Sequence, residues 1–308
     1  MSGSAFSPPV GIIPPLVTPF TPEEDLDLPR LRWLIDWQLS CGVDAVFVLG
    51  TTGEFYALAE DEKQVVTAVA VAHCHRRAPV WVGVGAESTR EVLRLTRMAE
   101  REGASGVSVI TPYFLKPTQQ ELYEHFHAVA DSTSLPVVLY NNPAVCGGVS
   151  IEPTTVARLV DRHRNIVGIK DSSGDLQNTI ELLRVTPADR FSVLNGRDTL
   201  ILAALYVGVH GAIPATGNIV PEWCVGIYQS FRRGEVEKAR EYQARVHSIR
   251  TALALGTGNG VVKEAMALLG RSCGPNRRPI APLSDDKRQQ LRRILERAGL
   301  TPIPAEQA

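Results

Sequence analysis

Eight short apolar runs, spaced along the first 220 positions, limit the possible folds of this chain more than any other feature. They are GIIPPLVTPF (11–20), AVFVLG (45–50), VWVGVG (80–85), GVSVITP (106–112), PVVLYN (136–141), IVGIKDSS (166–173), FSVLNG (191–196) and GAIPAT (211–216). Each is nearly continuous in apolar residues. A strand with one wet face alternates, whereas a strand covered on both faces reads as an unbroken run. Between the runs lie stretches with helical spacing: Leu31, Leu34, Ile35 and Leu39; Val65, Val66, Val69 and Ala70; Val92, Leu93, Leu95 and Met98. Gly42, Gly103 and Gly208 stand where these helices should end. The repeat of about 25 to 35 residues is the size of a βα unit. Eight such units predict an α/β chain closed as a (β/α)8 TIM barrel rather than an open doubly wound sheet.

Beyond residue 220 the strand signal stops, and segments 221–232, 235–255, 260–270 and 284–298 read as helices. The stretch RSCGPNRRPIAP (271–282) reads as a loop. The expected division is a barrel over 1–220, carrying the active site, and a small helical C-terminal region over 221–308. The first ten and last eight residues are expected to be loosely held.

Composition excludes several classes of function. Net charge is −1, so nothing favours nucleic acid. The five cysteines form no CxxC pair, which predicts free thiols rather than a disulfide or metal framework. No apolar run approaches the roughly 20 residues of a membrane span. The N-terminus lacks a charged segment followed by an apolar one. A soluble cytoplasmic protein is the expectation.

In such a barrel, reactive groups gather at the C-terminal ends of the strands. Those ends read GTTGE (50–54), TPYF (111–114), YNNPA (140–144), IKDSSGD (169–175), NGRDT (195–199) and IPATGN (213–218). Of six lysines, only Lys170 follows an unbroken apolar strand. Lys63 and Lys238 lie on polar helix faces, Lys263 on an amphipathic helix, Lys287 in a charged run and Lys116 in a loop. Apolar surroundings disfavour an ammonium, and a free amine is a nucleophile toward carbonyls. The plainer alternative is a lysine that snorkels outward or pairs with Asp171. Tyr140 ends the neighbouring strand, where its phenol could move the protons that imine formation requires. It could equally just pack and hydrogen-bond. The GTTGE turn offers two hydroxyls and exposed N–H groups suited to a carboxylate, or an ordinary helix cap.

Rival motifs are poor. GVGAES (83–88) lacks the third glycine of a dinucleotide fingerprint. His73 with His75, and His125 with His127, are spaced i, i+2 on helices and so face different ways; His163, His210 and His247 are scattered. No metal site is expected.

Taken together, PPLVTPF (14–20), GTTGE, TPYF, PVVLYNNP (136–143), GIKDSSGD (168–175), NGRD (195–198) and NGVVKEAMALLG (259–270) resemble the dihydrodipicolinate synthase / N-acetylneuraminate lyase family over nearly the full length. The resemblance implies a class I lyase or aldolase acting on a 2-oxo acid with a pyruvate-type head. It implies a covalent imine on Lys170, no separate cofactor and a homo-oligomer, tetramer or dimer. Tyr140 falls at the proton-transferring phenol and Thr51 at the relay hydroxyl. Thr52 falls where a hydroxyl and backbone N–H hold the pyruvate carboxylate. Gly196 and Asp198 fall where some members contact the rest of the substrate, and Gly50 and Ile213 are expected as further substrate-binding residues.

Two positions depart from the synthase branch. Val145 stands where synthases carry an Arg for the second substrate's carboxylate, a bidentate contact Val cannot make. Phe114 stands where a Tyr reaches a neighbouring subunit's relay. Thr199 and Ala215 likewise replace polar contacts expected for a sialic acid. The reading is therefore a 2-keto-3-deoxy sugar acid aldolase or dehydratase. Dihydrodipicolinate synthase, condensing pyruvate with aspartate semialdehyde, is the runner-up, and an imino-acid deaminase comes next. A non-catalytic 2-oxo acid sensor is the alternative outside enzymes.

Overall fold

The computed structural model describes residues 7–304. Eight parallel strands form one sheet: β1 (Gly11–Ile12), β2 (Val46–Val48), β3 (Val80–Gly83), β4 (Gly106–Ile110), β5 (Val137–Asn141), β6 (Ile166–Asp171), β7 (Ser192–Asn195) and β8 (Gly211–Ala212). Each strand from β2 to β7 pairs in parallel with the next, and β1 pairs with β8. The cylinder closes between β1 and β2, where Asp44 N–H donates to Ile12 O at 2.9 Å and Leu16 N–H to Phe47 O at 2.8 Å. The fold is the expected (β/α)8 barrel.

The first and last runs are longer in sequence than in pairing. Only two residues of each enter the ladder. Pro14, Pro15 and Pro214 follow directly, and proline has no N–H to donate. Asn218 replaces part of the missing ladder. Its amide donates to Pro15 O at 2.8 Å and to Ala215 O at 3.1 Å, while its carbonyl accepts from Val17 N–H at 3.0 Å.

Seven helices cover the strands: α1 (Leu28–Ser40), α2 (Glu60–Cys74), α3 (Thr89–Arg101), α4 (Gln119–Asp131), α5 (Pro153–Arg162), α6 (Leu176–Val185) and the short α7 (Ile201–Tyr206). The spacing holds for Leu31, Leu34, Ile35, Val66, Ala70, Val92, Leu95 and Met98, which are buried, whereas Leu39, Val69 and Leu93 are partly buried and Val65 is exposed. Gly42, Gly103 and Gly208 follow the caps of α1, α3 and α7 with φ of +84°, +80° and +104°. The helix α8 (Pro221–Arg232) packs on α7 and β1 and completes the ring. Then come α9 (Val236–Ala252), α10 (Gly258–Leu268) and α11 (Asp285–Arg297), close to the expected spans.

The expected loose ends fall partly on residues 1–6 and 305–308, outside the described residues. Within them the tail is anchored rather than loose: Ile303 N–H donates to Leu268 O at 2.8 Å, and Arg292 donates to Ile303 O at 2.8 Å. All five cysteines are free, four of them buried. Among the described residues no helix is long and apolar enough to cross a membrane.

Strand alternation sorts side chains inward and outward. Ile13, Ala45, Phe47, Trp81, Val138, Val167, Leu194 and Ile213 form one buried cluster. The larger apolar core includes Leu139, Ile169 and the buried helix residues.

Candidate active site

Tyr140 and Lys170 are register partners on β5 and β6. Paired strands lie about 4.8 Å apart, so the two side chains meet. Nζ of Lys170 lies 4.0 Å from the centre of the Tyr140 ring and 5.5 Å from that of Phe47. Both residues are buried. The next residue, Asp171, faces the other way. Its carboxylate accepts from Asn141, Ser173 backbone and hydroxyl, Asn178 and Thr179 at 2.9–3.2 Å. Asp171 is thus committed to the loop and helix behind the strand, which removes it as a partner for Lys170.

A second lysine, Lys263 on α10, is equally buried, which its amphipathic helix does not reveal in sequence. It forms an ion pair with Glu54 Oε1 at 2.8 Å and donates to Pro275 O at 2.8 Å. Lys170 has no carboxylate partner among the described residues. One buried lysine is held by a counter-charge; the other faces aromatic rings and a phenol.

Burial pushes the Tyr140 phenol up, but the Lys170 charge and polar contacts from Thr51, Asn142 and Lys170 outweigh it. The net result lies below the ordinary phenol value, which suits a group that must both give and take a proton. Asn142 Nδ2 donates to Tyr140 Oη at 2.8 Å. Thr51 Oγ1 is buried beside them and has no well-aligned partner among the described residues. An orphaned hydroxyl of this kind is available to a substrate or to the phenol.

The turn carrying Thr51 and Thr52 is fixed from several directions. Thr18 Oγ1 donates to Gly53 O at 2.6 Å, and Asn259 Nδ2 on α10 donates to Thr51 O at 2.8 Å. Glu54, in the left-handed region at φ 57°, is gripped by Lys263 and by Arg277 N–H at 3.1 Å. The C-terminal helices therefore brace the mouth of the barrel.

A cavity of about 290 Å³ opens over Lys170, and Thr51, Thr52, Tyr140, Gly196, Asp198 and Ile213 line it. Gly50 is the exception among the expected contacts. It lies behind the turn, where an added Cβ would meet Phe47 and Pro15 at 3.3 Å. Gly196 is required for closeness: a Cβ there would sit 1.9 Å from Ser172 Oγ.

The same cavity holds Asn142, Ser172, Arg197 and Arg250, which sequence reasoning did not single out. Asn142 and Ser172 lie inside quoted motifs. Arg250 gives no sequence signal, because it sits on a polar helix. It reaches Asp198 Oδ2 at 3.0 Å. Burial pushes the Asp198 carboxyl up, and Arg250 opposes that. Val145 also lines the cavity and is 52% exposed. It further borders an adjoining cleft of about 410 Å³, which includes Thr51, Tyr56, Tyr113 and Asn259.

A model of the dihydrodipicolinate synthetase family matches residues 8–298. The chain belongs to this family. Among curated relatives, the 4-hydroxy-tetrahydrodipicolinate synthase of Methanopyrus kandleri is 38% identical over 293 residues, covering 95% of this chain and 97% of that one. The protein of the same name from Nitratidesulfovibrio vulgaris is 39% identical, covering 94% and 98%. Among solved structures, YagE of E. coli K12, a prophage protein of the dihydrodipicolinic acid synthase family in complex with pyruvate, superposes with a TM-score of 0.91. It is 37% identical, covering 94% of this chain and 99% of that one. Dihydrodipicolinate synthase from Aquifex aeolicus gives a TM-score of 0.91 at 33% identity, covering 96% and 100%. As a dihydrodipicolinate synthetase family member, the chain is a class I lyase that works through a lysine Schiff base on a small-molecule substrate.

Proposed function

We propose that Lys170 is the Schiff-base lysine and that the substrate is a 2-keto-3-deoxy sugar acid, cleaved or dehydrated through the imine. The observation that carries this reading is the pairing of an uncompensated buried amine with a polarised phenol in one cavity. YagE's complex with pyruvate supports a pyruvate-type head.

The Lys170 amine adds to the C2 carbonyl, and Tyr140 delivers the proton that lets water leave as the imine forms. Thr51 links the phenol to the substrate. Thr52 and the N–H groups of its turn receive the carboxylate. The protonated imine then acts as an electron sink. In aldol cleavage the C3–C4 bonding pair moves toward the imine nitrogen, giving an enamine, while the C4 hydroxyl loses its proton. In dehydration a C3 proton leaves first and a hydroxide departs as water. This chemistry needs no metal and no nucleotide.

Ser172, Arg197 and the Asp198–Arg250 pair offer hydrogen-bonding groups to a hydroxylated chain beyond C3. Both curated relatives described above carry the synthase name, which favours condensation with aspartate semialdehyde. Val145 favours the first reading, because an isopropyl group at the cavity wall cannot hold a second carboxylate. We also place an oligomer contact at the barrel mouth. There Phe114 is 93% exposed at φ +76°, and Leu115 beside it is exposed as well. A panel of keto-deoxy acids, alongside pyruvate with aspartate semialdehyde, tests the assignment. Turnover of the second pair alone, with no keto-deoxy acid consumed, removes the first reading.

A further inference from the structure

At the end of the barrel away from Lys170, three side chains that are remote or offset in sequence meet. His127 and Asp131 are spaced i, i+4 on α4 and so share a face. His163 caps the C-terminal end of α5, the neighbouring helix. His127 Nδ1 lies 2.7 Å from His163 Nε2. Asp131 carboxylate oxygens lie 3.5 Å from His127 Nε2 and 3.5 Å from His163 Nδ1. One ligand atom from each residue lies within 4.8 Å of the others. His163 is buried, His127 partly buried and Asp131 exposed. The cluster is therefore anchored on one side and open to water on the other. The ring of His127 also stacks on Tyr123 at 5.9 Å, which fixes its plane.

We propose that His127, Asp131 and His163 bind one divalent d-block cation, with Zn²⁺ the best fit. Two imidazoles and one carboxylate suit zinc and its neighbours, whereas magnesium and calcium prefer all-oxygen shells. Tetrahedral zinc with N ligands at about 2.0–2.1 Å holds those nitrogens about 3.3 Å apart. The carboxylate faces Nε2 of His127 and Nδ1 of His163, whereas the 2.7 Å contact joins the opposite nitrogens, so a ring rotation that breaks this contact and frees one nitrogen of each ring must accompany binding. Water completes the shell on the exposed side. A bound ion ties the ends of α4 and α5 beneath β5 and β6, the strands that carry Tyr140 and Lys170 at their other ends. The proposal does not depend on the imine chemistry.

The test uses the full chain, stripped of metal with a chelator. Co²⁺ is titrated in and followed by its visible d–d absorption, then displaced with Zn²⁺. Wild type should bind one equivalent of Co²⁺ and release it to one equivalent of Zn²⁺. His127→Ala and Asp131→Asn, at sites with solvent access, should each weaken binding at least about tenfold. Thermal melting of the metal-free proteins confirms that both variants are folded. Absence of saturable binding in wild type, or wild-type affinity in both folded variants, overturns the proposal.

Discussion

Tyr140→Phe isolates the proposed proton transfer from everything else Tyr140 does. The ring, 4.0 Å from Lys170 Nζ, remains. Only the hydroxyl and its bond from Asn142 at 2.8 Å are lost. Leaving a buried amide donor unpaired costs about 1–3 kcal/mol, so the variant should still fold, with Tm lowered by only several degrees. Positioned acid–base groups contribute about 10²- to 10⁴-fold, or roughly 2.7–5.4 kcal/mol of barrier. A suitable assay requires no knowledge of the second substrate. An imine of pyruvate that loses a C3 proton and regains one from solvent exchanges its methyl hydrogens for deuterium in D₂O. Proton NMR then follows loss of the methyl signal. Wild type should catalyse the exchange, Lys170→Met should abolish it, and Tyr140→Phe should slow it about 10²- to 10⁴-fold. An exchange rate for Tyr140→Phe within about threefold of wild type refutes the proton-transfer role, because that change is under about 0.7 kcal/mol.

Further outcomes follow from the same geometry. Tyr140 is held below the ordinary phenol range, so its basic form appears at lower pH. The exchange rate should rise with pH and level off below about pH 10, the usual phenol value. Asn142→Ala removes a donor to the phenolate and should move that rise upward; a wild-type rise centred at the usual phenol value contradicts the account. Lys263→Met leaves Glu54 0% exposed with no counter-charge in ion-pair contact, only the Arg277 N–H. Urea denaturation should show a loss of about 3–5 kcal/mol, partly recovered when Glu54→Gln is added. A loss below about 1 kcal/mol means the pair does not brace the turn. Val145→Arg puts a guanidinium at the cavity wall. It should shift the product ratio, read by NMR, toward condensation of pyruvate with aspartate semialdehyde, and an unchanged ratio counts against the role given to Val145.

Much of this molecule is legible in its sequence, for identifiable reasons. Burial on both faces of parallel strands leaves unbroken apolar runs, and these locate β2 to β7 closely. The two proline-containing runs mislead about length, because Pro14, Pro15 and Pro214 cut the ladder short. Lys170 and Tyr140 are legible because strand ends converge on one rim. Features built by contacts between distant segments are not legible. Lys263 reads as a helix residue until Glu54, on the turn of the second unit, closes on it. Arg250 reads as a solvated face until Asp198 is seen beneath it. His127 and His163 belong to separate, unremarkable helices until packing sets their rings 2.7 Å apart.

The central claim is that Lys170, and no other lysine, carries the imine. Incubation with pyruvate followed by borohydride reduction fixes any imine as a stable secondary amine, and peptide mapping by mass spectrometry locates it among the six lysines. The account predicts one reduced pyruvyl group per chain, on the peptide containing Lys170, and none in Lys170→Met. A folded protein that gains no adduct, or gains it on Lys263 or a surface lysine, contradicts it.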